Sequence, residues 1–511
     1  MTSLGLVTKA VGQLRESFAA AVFGADRAMD AFNVAKSIPD MFSSWIETPI
    51  RSAIVPLFSR RLHEEGEEQA WRAASNIVNT LAVGMVLITA LLWLFSPALV
   101  RMFSTGFRSP EAWNEGTVLA QIVVVSVFFS VLTEILGSLS NVYGRQFVPA
   151  FGRLLNGLVV VFGVVVLGRT MGLRGYAWGF LLGSIAYFLL QTNILWRHRR
   201  HYRFVLDPRA PEIREIVLVG LPLFIGMIGP RIDVLIDQNF ASFLPGGQLT
   251  ILNFMRNLSG AATDVVQTVS LAVLLPHFSG LMAQKKYDEV RHRATQVLGG
   301  YLVFAVPIAV FVAVGAPEIV DILYRHGNFS VDDALLAAGI LPILAIADPA
   351  FAIGQILAQV HISGGDTSTP MKVGFWRIGF KALLSLALIA PLGIYGLAIA
   401  TSASSFFRTF ELWRRLPRAI RPSGRGLATT LAGLLLPALV TAAAVFAMFR
   451  WLPAFPWGLA GQVLRTAAIG GAAIAIHTGI AWWTGHAIVE QVVARLRRGA
   501  EPRPPAGDGL S

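Results

Sequence analysis

Positive charge sits where an apolar chain should not carry it. Lys9, Arg15, Lys36, Arg51, Arg153, Arg231, Arg256, Lys372, Arg377, Lys381, Arg408 and Arg465 all fall inside stretches dominated by aliphatic and aromatic residues. At the centre of a lipid-embedded helix each would cost roughly 2.5–3.5 kcal/mol on insertion scales. Arg153, Lys372, Arg408 and Arg465 lie near stretch ends, where a long side chain can snorkel to the interface. The others need acidic partners, a hydrated cavity, or both. Acids are close by in sequence: Glu16, Asp30, Glu47, Asp233, Asp237 and Asp264. On helical spacing Lys9, Gly12 and Glu16 share a face, Asp233 and Asp237 are one turn apart, and Arg256, Gly260, Thr263 and Gln267 form one polar stripe. Two chemistries fit this pattern. Buried ion pairs would fix helix register. A cationic, water-filled cavity would bind phosphate, since the planar fork of arginine makes two charge-assisted hydrogen bonds to a pyrophosphate at once. The acids would then restrain the arginines in the empty cavity or hold a coupling cation.

The elements that carry these residues are membrane spans. The chain has 511 residues, 54% hydrophobic and only 14% charged, whereas a soluble chain of this length would split into domains with charged surfaces. Uncharged or nearly uncharged runs such as 82–100 and 427–448 reach the length of about 18 residues or more that crosses a bilayer as a helix. No series of alternating ten-residue strands is present. Fourteen segments are predicted: 3–24, 29–58, 73–98, 117–142, 150–168, 175–196, 215–242, 248–278, 294–315, 333–361, 372–391, 394–413, 427–449 and 465–485. The first holds Lys9, Arg15 and Glu16, so it lacks the clean apolar core of a cleaved signal. With no cysteine, disulfides and thiolate metal sites are excluded.

A net charge of +12 invites a nucleic-acid reading, but its distribution points to the positive-inside rule instead. With a cytoplasmic N-terminus, loops after even-numbered segments and the C-terminal tail hold about 23 Lys plus Arg, against about 7 in the opposite loops. Both termini are therefore expected in the cytoplasm, with no nucleic-acid partner.

The chain also repeats itself. Val55-Pro56-Leu57-Phe58-Ser59 corresponds to Leu275-Pro276-His277-Phe278-Ser279, and Pro97-Ala98-Leu99-Val100 to Pro317-Glu318-Ile319-Val320. Pro149 corresponds to Pro370, and Gly172-Leu173-Arg174-Gly175 to Gly393-Ile394-Tyr395-Gly396. The offsets are 220, 220, 221 and 221. They relate segments 1–6 to segments 7–12, and an even number of spans makes the repeat parallel. The fold expected is all-α and polytopic: an N-lobe (1–200, segments 1–6), a C-lobe (210–415, segments 7–12), an added helix pair (425–486) and a cytoplasmic tail (487–511). Two such lobes suit alternating access to a cavity between them.

At these same residues the chain resembles the MurJ/MviN family of lipid II flippases, in the multidrug/oligosaccharidyl-lipid/polysaccharide exporter superfamily. The likeness runs through Arg15-Glu16, Phe23-Gly24-Ala25, Asp30-Ala31-Phe32, Ile38-Pro39, Glu47 and Val55-Pro56. It continues through Asp237 with Ala241-Ser242, Leu252-Asn253, Leu274-Leu275-Pro276, Gly327-Asn328-Phe329 with Asp333-Ala334, and Asp366 with Thr369-Pro370 and Lys372, covering about residues 5–415. The resemblance implies fourteen helices, the last two forming a groove for a lipid tail. Arg15 matches the family's first-helix arginine, Lys9 a usual basic position and Glu47 the second-helix acid. The paired basic residues of the second helix are replaced by Phe42-Ser43-Ser44, with Arg51 about two turns onward, and the family's Asp-Arg of segment 8 stands as Arg256-Asn257.

The function expected is flipping of an undecaprenyl-pyrophosphate-linked glycan, lipid II or a relative, from the cytoplasmic to the periplasmic leaflet of the inner membrane. Lys9, Arg15, Arg51, Arg256 and Asn257 would bind substrate; Glu16, Asp30, Glu47 and Asp237 would supply counter-charge or ion coupling. No cofactor or metal is called for, and coupling to Na+, H+ or membrane potential would drive the cycle. The competing readings are a flippase for an exopolysaccharide or O-antigen precursor, a cation-coupled exporter of small molecules, a membrane glycosyltransferase, and a scaffold without transport. An exporter favours an acidic cavity, which the embedded bases oppose. A transferase would need catalytic groups in the outer loops 99–116 and 316–332, where no acid pair or Ser/His arrangement stands and His326 reads as a turn residue.

Overall fold

A computed structural model describes residues 2–453 and 455–484. The expected tail 487–511 lies outside them, as do the side chains of Arg231, Thr263, Asp264 and Gln267. Among the described residues there is no strand, and fourteen long helical segments follow one another: α1 Thr2–Phe23, α2 Arg27–Glu64, α3 Glu67–Phe103, α4 Pro110–Val142, α5 Phe147–Met171, α6 Leu173–Arg197, α7 Pro211–Ser242, α8 Gln248–Ala283, α9 Tyr287–Val314, α10 Val331–Ser363, α11 Ser368–Leu392, α12 Ile394–Arg415, α13 Gly424–Trp451 and α14 Gly458–Trp483. A short helix, Ala316–Leu323, follows α9. Each long helix overlaps the segment of the same rank predicted from sequence, with ends differing by at most seven residues. At several of these ends the helix continues beyond the apolar run: α2 extends through Arg60, Arg61 and Glu64, because i→i−4 hydrogen bonding does not stop at the membrane surface.

Among the described residues nine helices, α3–α6, α9–α11, α13 and α14, are long and apolar enough to cross a membrane. The protein is a polytopic all-α membrane protein, and its surface fits that solvent. Leu94, Phe95, Leu383, Leu439 and Phe446 are all more than half exposed, as lipid-facing side chains should be. Exposed tryptophans mark both ends of the last hairpin, Trp451 and Trp457 at one end and Trp482 and Trp483 at the other. The 26 residues of α14 span about 39 Å at 1.5 Å per residue, far enough for the two groups to reach opposite interfaces of a bilayer.

Local chain chemistry sets the boundaries. Asp26 N-caps α2 by accepting from the Met29 amide at 2.7 Å, and Ser109 and Ser423 cap α4 and α13 in the same way. The internal repeat is also written in the backbone. Left-handed glycines recur at Gly144 and Gly365, and at Gly172 and Gly393, each pair 221 residues apart. Lys285, a left-handed non-glycine residue, stands close to the position equivalent to Gly66.

By packing, the chain divides into two compact units, one of residues 1–258, 323–337 and 378–400, the other of 259–322, 338–377 and 401–511. The second contains the core Phe278, Leu298, Ile356, Val360 and Leu412, and the packing of α13 and α14 on α9 through Leu302, Leu434 and Ala481.

In the first unit, turns from distant parts of the sequence lock one end. Asp30 is fully buried on α2 and caps the start of α8: it accepts from the Gly247 amide at 2.8 Å, the Thr250 amide at 2.9 Å and the Thr250 hydroxyl at 2.8 Å. Arg27 donates to the carbonyls of Ser242 and Leu244 at the end of α7, at 3.2 and 2.7 Å. The turn 326–329 joins them, with the Asn328 amide donating to the Ala21 carbonyl at 2.9 Å. Both Gly247 and Gly327 have positive φ, and a Cβ on either would fall about 2 Å from a carbonyl of the α1–α2 region. Asp30→Ala strips two buried amides of their acceptor, at about 1–3 kcal/mol each. We expect a loss of about 3 kcal/mol from the first unit, read as a lowered Tm in detergent, with Asp30→Asn intermediate. An unchanged Tm for Asp30→Ala would show that the cap is dispensable.

In the second unit Asp366, in the turn before α11, accepts from the Thr369 amide at 3.0 Å and faces His361 Nδ1 at 3.0 Å, while His361 Nε2 faces the Leu412 carbonyl at 3.0 Å. Partial burial pushes the Asp366 carboxyl up. The hydrogen bonds from Thr369, His361 and Ser368 outweigh it and hold the group at about 2. A depressed carboxylate contributes stability above its unfolded value near 4, and that stability is lost as pH falls through about 2. Acid titration of wild type between pH 4 and 2 should therefore show a loss that Asp366→Asn lacks; matching acid curves would remove this contribution.

Candidate functional site

The first unit holds a cavity of about 220 Å³, lined from five helices. Glu16 comes from α1, Asn33, Lys36 and Asp40 from α2, Tyr176 from α6, Gln238 from α7, and Asn253 and Asn257 from α8. It thus draws on both halves of the sequence repeat while lying inside one compact unit. Its α2 wall follows from spacing: Asn33, Lys36 and Asp40 are separated by three and four residues, one face of a helix.

Every charge here is partly answered. Glu16 is buried and accepts from Asn257 Nδ2 at 2.8 Å, and its other oxygen, Oε2, has no hydrogen-bond partner. The Arg15 guanidinium reaches Glu16 at only 3.5 Å and lies 5.3 Å from the centroid of Phe180 on α6. Lys36 Nζ lies 5.3 Å from the same ring and 3.9 Å from Asp40. One aromatic face therefore serves two cations, each worth about 0.5–2 kcal/mol in cation–π attraction, while the long distances to the acids leave their donors available. The arrangement offers charge-assisted donors, carboxylates that can exchange with an incoming anion, and amides suited to hydroxyl groups.

A second cluster involves α7, α8 and α11. Asp237 accepts from Arg256 and, at 2.7 Å, from Lys381 Nζ, which also reaches Asp233 at 3.2 Å. Lys381 is fully buried.

The residues singled out from sequence distribute unevenly. Glu16 and Asn257 line the cavity and bond each other; Arg15 adjoins Glu16; Arg256 and Asp237 form the second cluster. Lys9 is exposed near the start of α1. Arg51 is half exposed on α2 and pairs with Glu134 of α4 at 2.9 Å. Glu47 is partly buried outside the cavity lining, and Asp30 is the α8 cap. Sequence reasoning did not select Lys36, Asp40, Asn33 or Phe180 as site residues, nor Lys381. The 33–36–40 spacing was available as a signal for the first three; nothing in the sequence joins Lys381 to a helix some 144 residues earlier.

Comparison with known proteins agrees with this architecture. A family profile described as "Lipid II flippase MurJ" matches residues 19–464. A "Probable lipid II flippase MurJ" of Rhizobium meliloti is 26% identical over 509 residues, 97% of this chain and 95% of that one. The protein so named in Bdellovibrio bacteriovorus is 25% identical over 98% of this chain and 96% of its own length. Among solved structures, "Lipid II flippase MurJ, inward closed conformation" superposes with a TM-score of 0.76 at 20% identity, covering 93% of this chain and 98% of that one. An inward-facing multidrug resistance MATE family transporter of the MOP superfamily follows with 0.64 at 13% identity, over 83% of this chain and 95% of that one. With a profile match over most of its length, near-full-length relatives and the same all-helical fold, the chain belongs to the lipid II flippase MurJ family.

Proposed function

We infer that the protein is a transporter that flips lipid II from the cytoplasmic to the periplasmic leaflet of the inner membrane by alternating access. The observation that carries this is the cavity in which Lys36 stands beside exchangeable carboxylates and carboxamides, with Arg15 adjoining it through Glu16 and the Phe180 ring. Pyrophosphate takes the donors that Glu16 and Asp40 hold loosely, and the glycan meets Asn33, Asn253 and Asn257. Arg256 acts beside them, held by Asp237 while the cavity is empty. At about 220 Å³ the cavity lies below the roughly 300–1,000 Å³ of pockets that engulf drug-sized ligands, so it must widen to admit a headgroup.

The positive-inside asymmetry supports cytoplasmic termini. On that orientation the interlocked turns around Asp30, Arg27 and Asn328 close the periplasmic end. Lys9 and Arg51 lie towards the cytoplasmic end from the cavity, two turns before Glu16 and three turns beyond Asp40, and meet the pyrophosphate on entry. Glu47 adds counter-charge along that route. The segments 1–6 and 7–12 act as the moving lobes, and the prenyl tail stays in membrane lipid beside α13 and α14. Membrane potential, H+ or Na+ drives the cycle without a cofactor, a unit charge crossing 100 mV gaining about 2.3 kcal/mol.

The test is reconstitution of the full chain in vesicles with a fluorescent lipid II analogue loaded in one leaflet. Accessibility of its headgroup from the other side should rise well above that of empty vesicles. The substitutions Phe42-Ser43-Ser44 and Arg256-Asn257 make one comparison decisive. If another undecaprenyl-pyrophosphate glycan crosses while lipid II does not, the substrate is a different polysaccharide precursor.

A further inference from the structure

A buried charge cluster of the first unit lies outside the cavity lining, where Asp233 and Asp237 of α7 meet Arg256 of α8 and Lys381 of α11. Two carboxylates one turn apart on a membrane helix are a natural seat for a small cation, because each carboxylate uncompensated in low dielectric is costly. Here that seat is filled from within. Lys381 Nζ bridges the pair, at 3.2 Å from Asp233 and 2.7 Å from Asp237, and the residue has no solvent exposure. Arg256 donates to the same Asp237 oxygen, Oδ2, while the buried Oδ1 has no hydrogen-bond partner. With both bases protonated and both acids ionised, the four groups sum to zero.

We propose that the Lys381 ammonium is a tethered cation that occupies the Asp233–Asp237 seat and excludes soluble monovalent cations from it. The inference rests on the transport reading only for its consequence: Na+ does not couple through this acid pair, and the positive charge that meets it belongs to the side chains of Lys381 and Arg256. The chemistry of the seat stands whether or not lipid II is the cargo.

Removing the ammonium exposes the seat. Lys381→Met takes one positive charge from between the two carboxylates, beside an Asp237 oxygen already lacking a partner. A sodium ion fits that deficit. Lys381→Met/Asp233→Asn restores neutrality and closes it again.

The experiment compares Tm of the purified full-length protein in detergent at equal ionic strength of NaCl and choline chloride, so that screening is the same. Wild type should give the same Tm in both salts. Lys381→Met should be higher in NaCl by about 2 °C or more, with the gain saturating as Na+ rises. The double variant and Lys381→Arg should lose that difference. A sodium-specific rise in wild type as large as in Lys381→Met would overturn the proposal, as would a Lys381→Met protein indifferent to Na+. Should Lys381→Met fail to accumulate, the double variant decides together with wild type: its recovery with no sodium response in either supports the tethered cation, and its failure with a sodium response in wild type refutes it. None of these readouts depends on flipping, so a failed transport assay leaves them intact.

Discussion

Asp237→Ala yields little folded protein, and whatever is recovered melts far below wild type. Asp237 answers two bases at once, Arg256 and the fully buried Lys381, and it is itself almost wholly buried. Removing one partner of a buried ion pair costs about 3–5 kcal/mol, because the remaining charge stays desolvated. With two cations left, Asp233 can answer Lys381 at 3.2 Å, but Arg256 loses the acid it is bonded to. The loss is therefore expected at the upper end of that range, and a destabilised unit of this kind is also open to proteolysis. Asp237→Asn keeps an acceptor but not the charge and should fall between. Asp233→Ala should be milder, since Lys381 keeps its shorter contact with Asp237. Fluorescence-detected size exclusion and Tm in detergent give the ranking directly. A Tm for Asp237→Ala within about 2 °C of wild type would mean that the two bases find water or lipid headgroups instead, and that the cluster is not a structural keystone.

That cluster shows what a sequence can and cannot disclose about this fold. Bases inside apolar segments are visible without a structure, because their insertion cost demands compensation. The segments are equally legible, since a bilayer enforces long apolar helices; every long helix overlaps its predicted counterpart. The repeat was readable from four motifs, and its glycines return as matching left-handed turns. Pairing was not readable. Arg15 and Glu16 are neighbours in sequence, yet Glu16 has its closer partner in Asn257, 241 residues away. Arg51 stands about two turns beyond the place where the resemblance expects paired basic residues, and no sequence signal pointed to its partner Glu134 on α4. Asp30 looked like a countercharge and is a helix cap on backbone amides, a role that depends on which turn packs above it. These choices are made by tertiary packing of helices with similar periodicity, and periodicity does not say which face meets which neighbour.

The two cations at the Phe180 ring carry the second large effect. Lys36→Ala should slow lipid II flipping by at least about tenfold while leaving Tm close to wild type. A charge-assisted hydrogen bond to phosphate contributes about 1.5–3 kcal/mol, and each 1.4 kcal/mol is a factor of about ten. The fold itself depends little on this side chain, because Asp40 is 3.9 Å away and more than half exposed. Arg15→Ala should behave alike in transport but lower Tm somewhat, since it leaves Glu16 buried with only Asn257 to answer it. Arg51→Ala should lose less than about threefold: its guanidinium is half exposed and outside the cavity lining, so it influences loading more than binding. The conservative pair Arg15→Lys and Lys36→Arg separates geometry from charge. If the planar fork matters, Lys36→Arg retains activity and Arg15→Lys does not. Measured as headgroup accessibility in vesicles, the order Lys36 and Arg15 severe, Arg51 mild places pyrophosphate against the Phe180 face. The reverse order would move the binding site towards the cytoplasmic end of α2 and empty the cavity described here of its role.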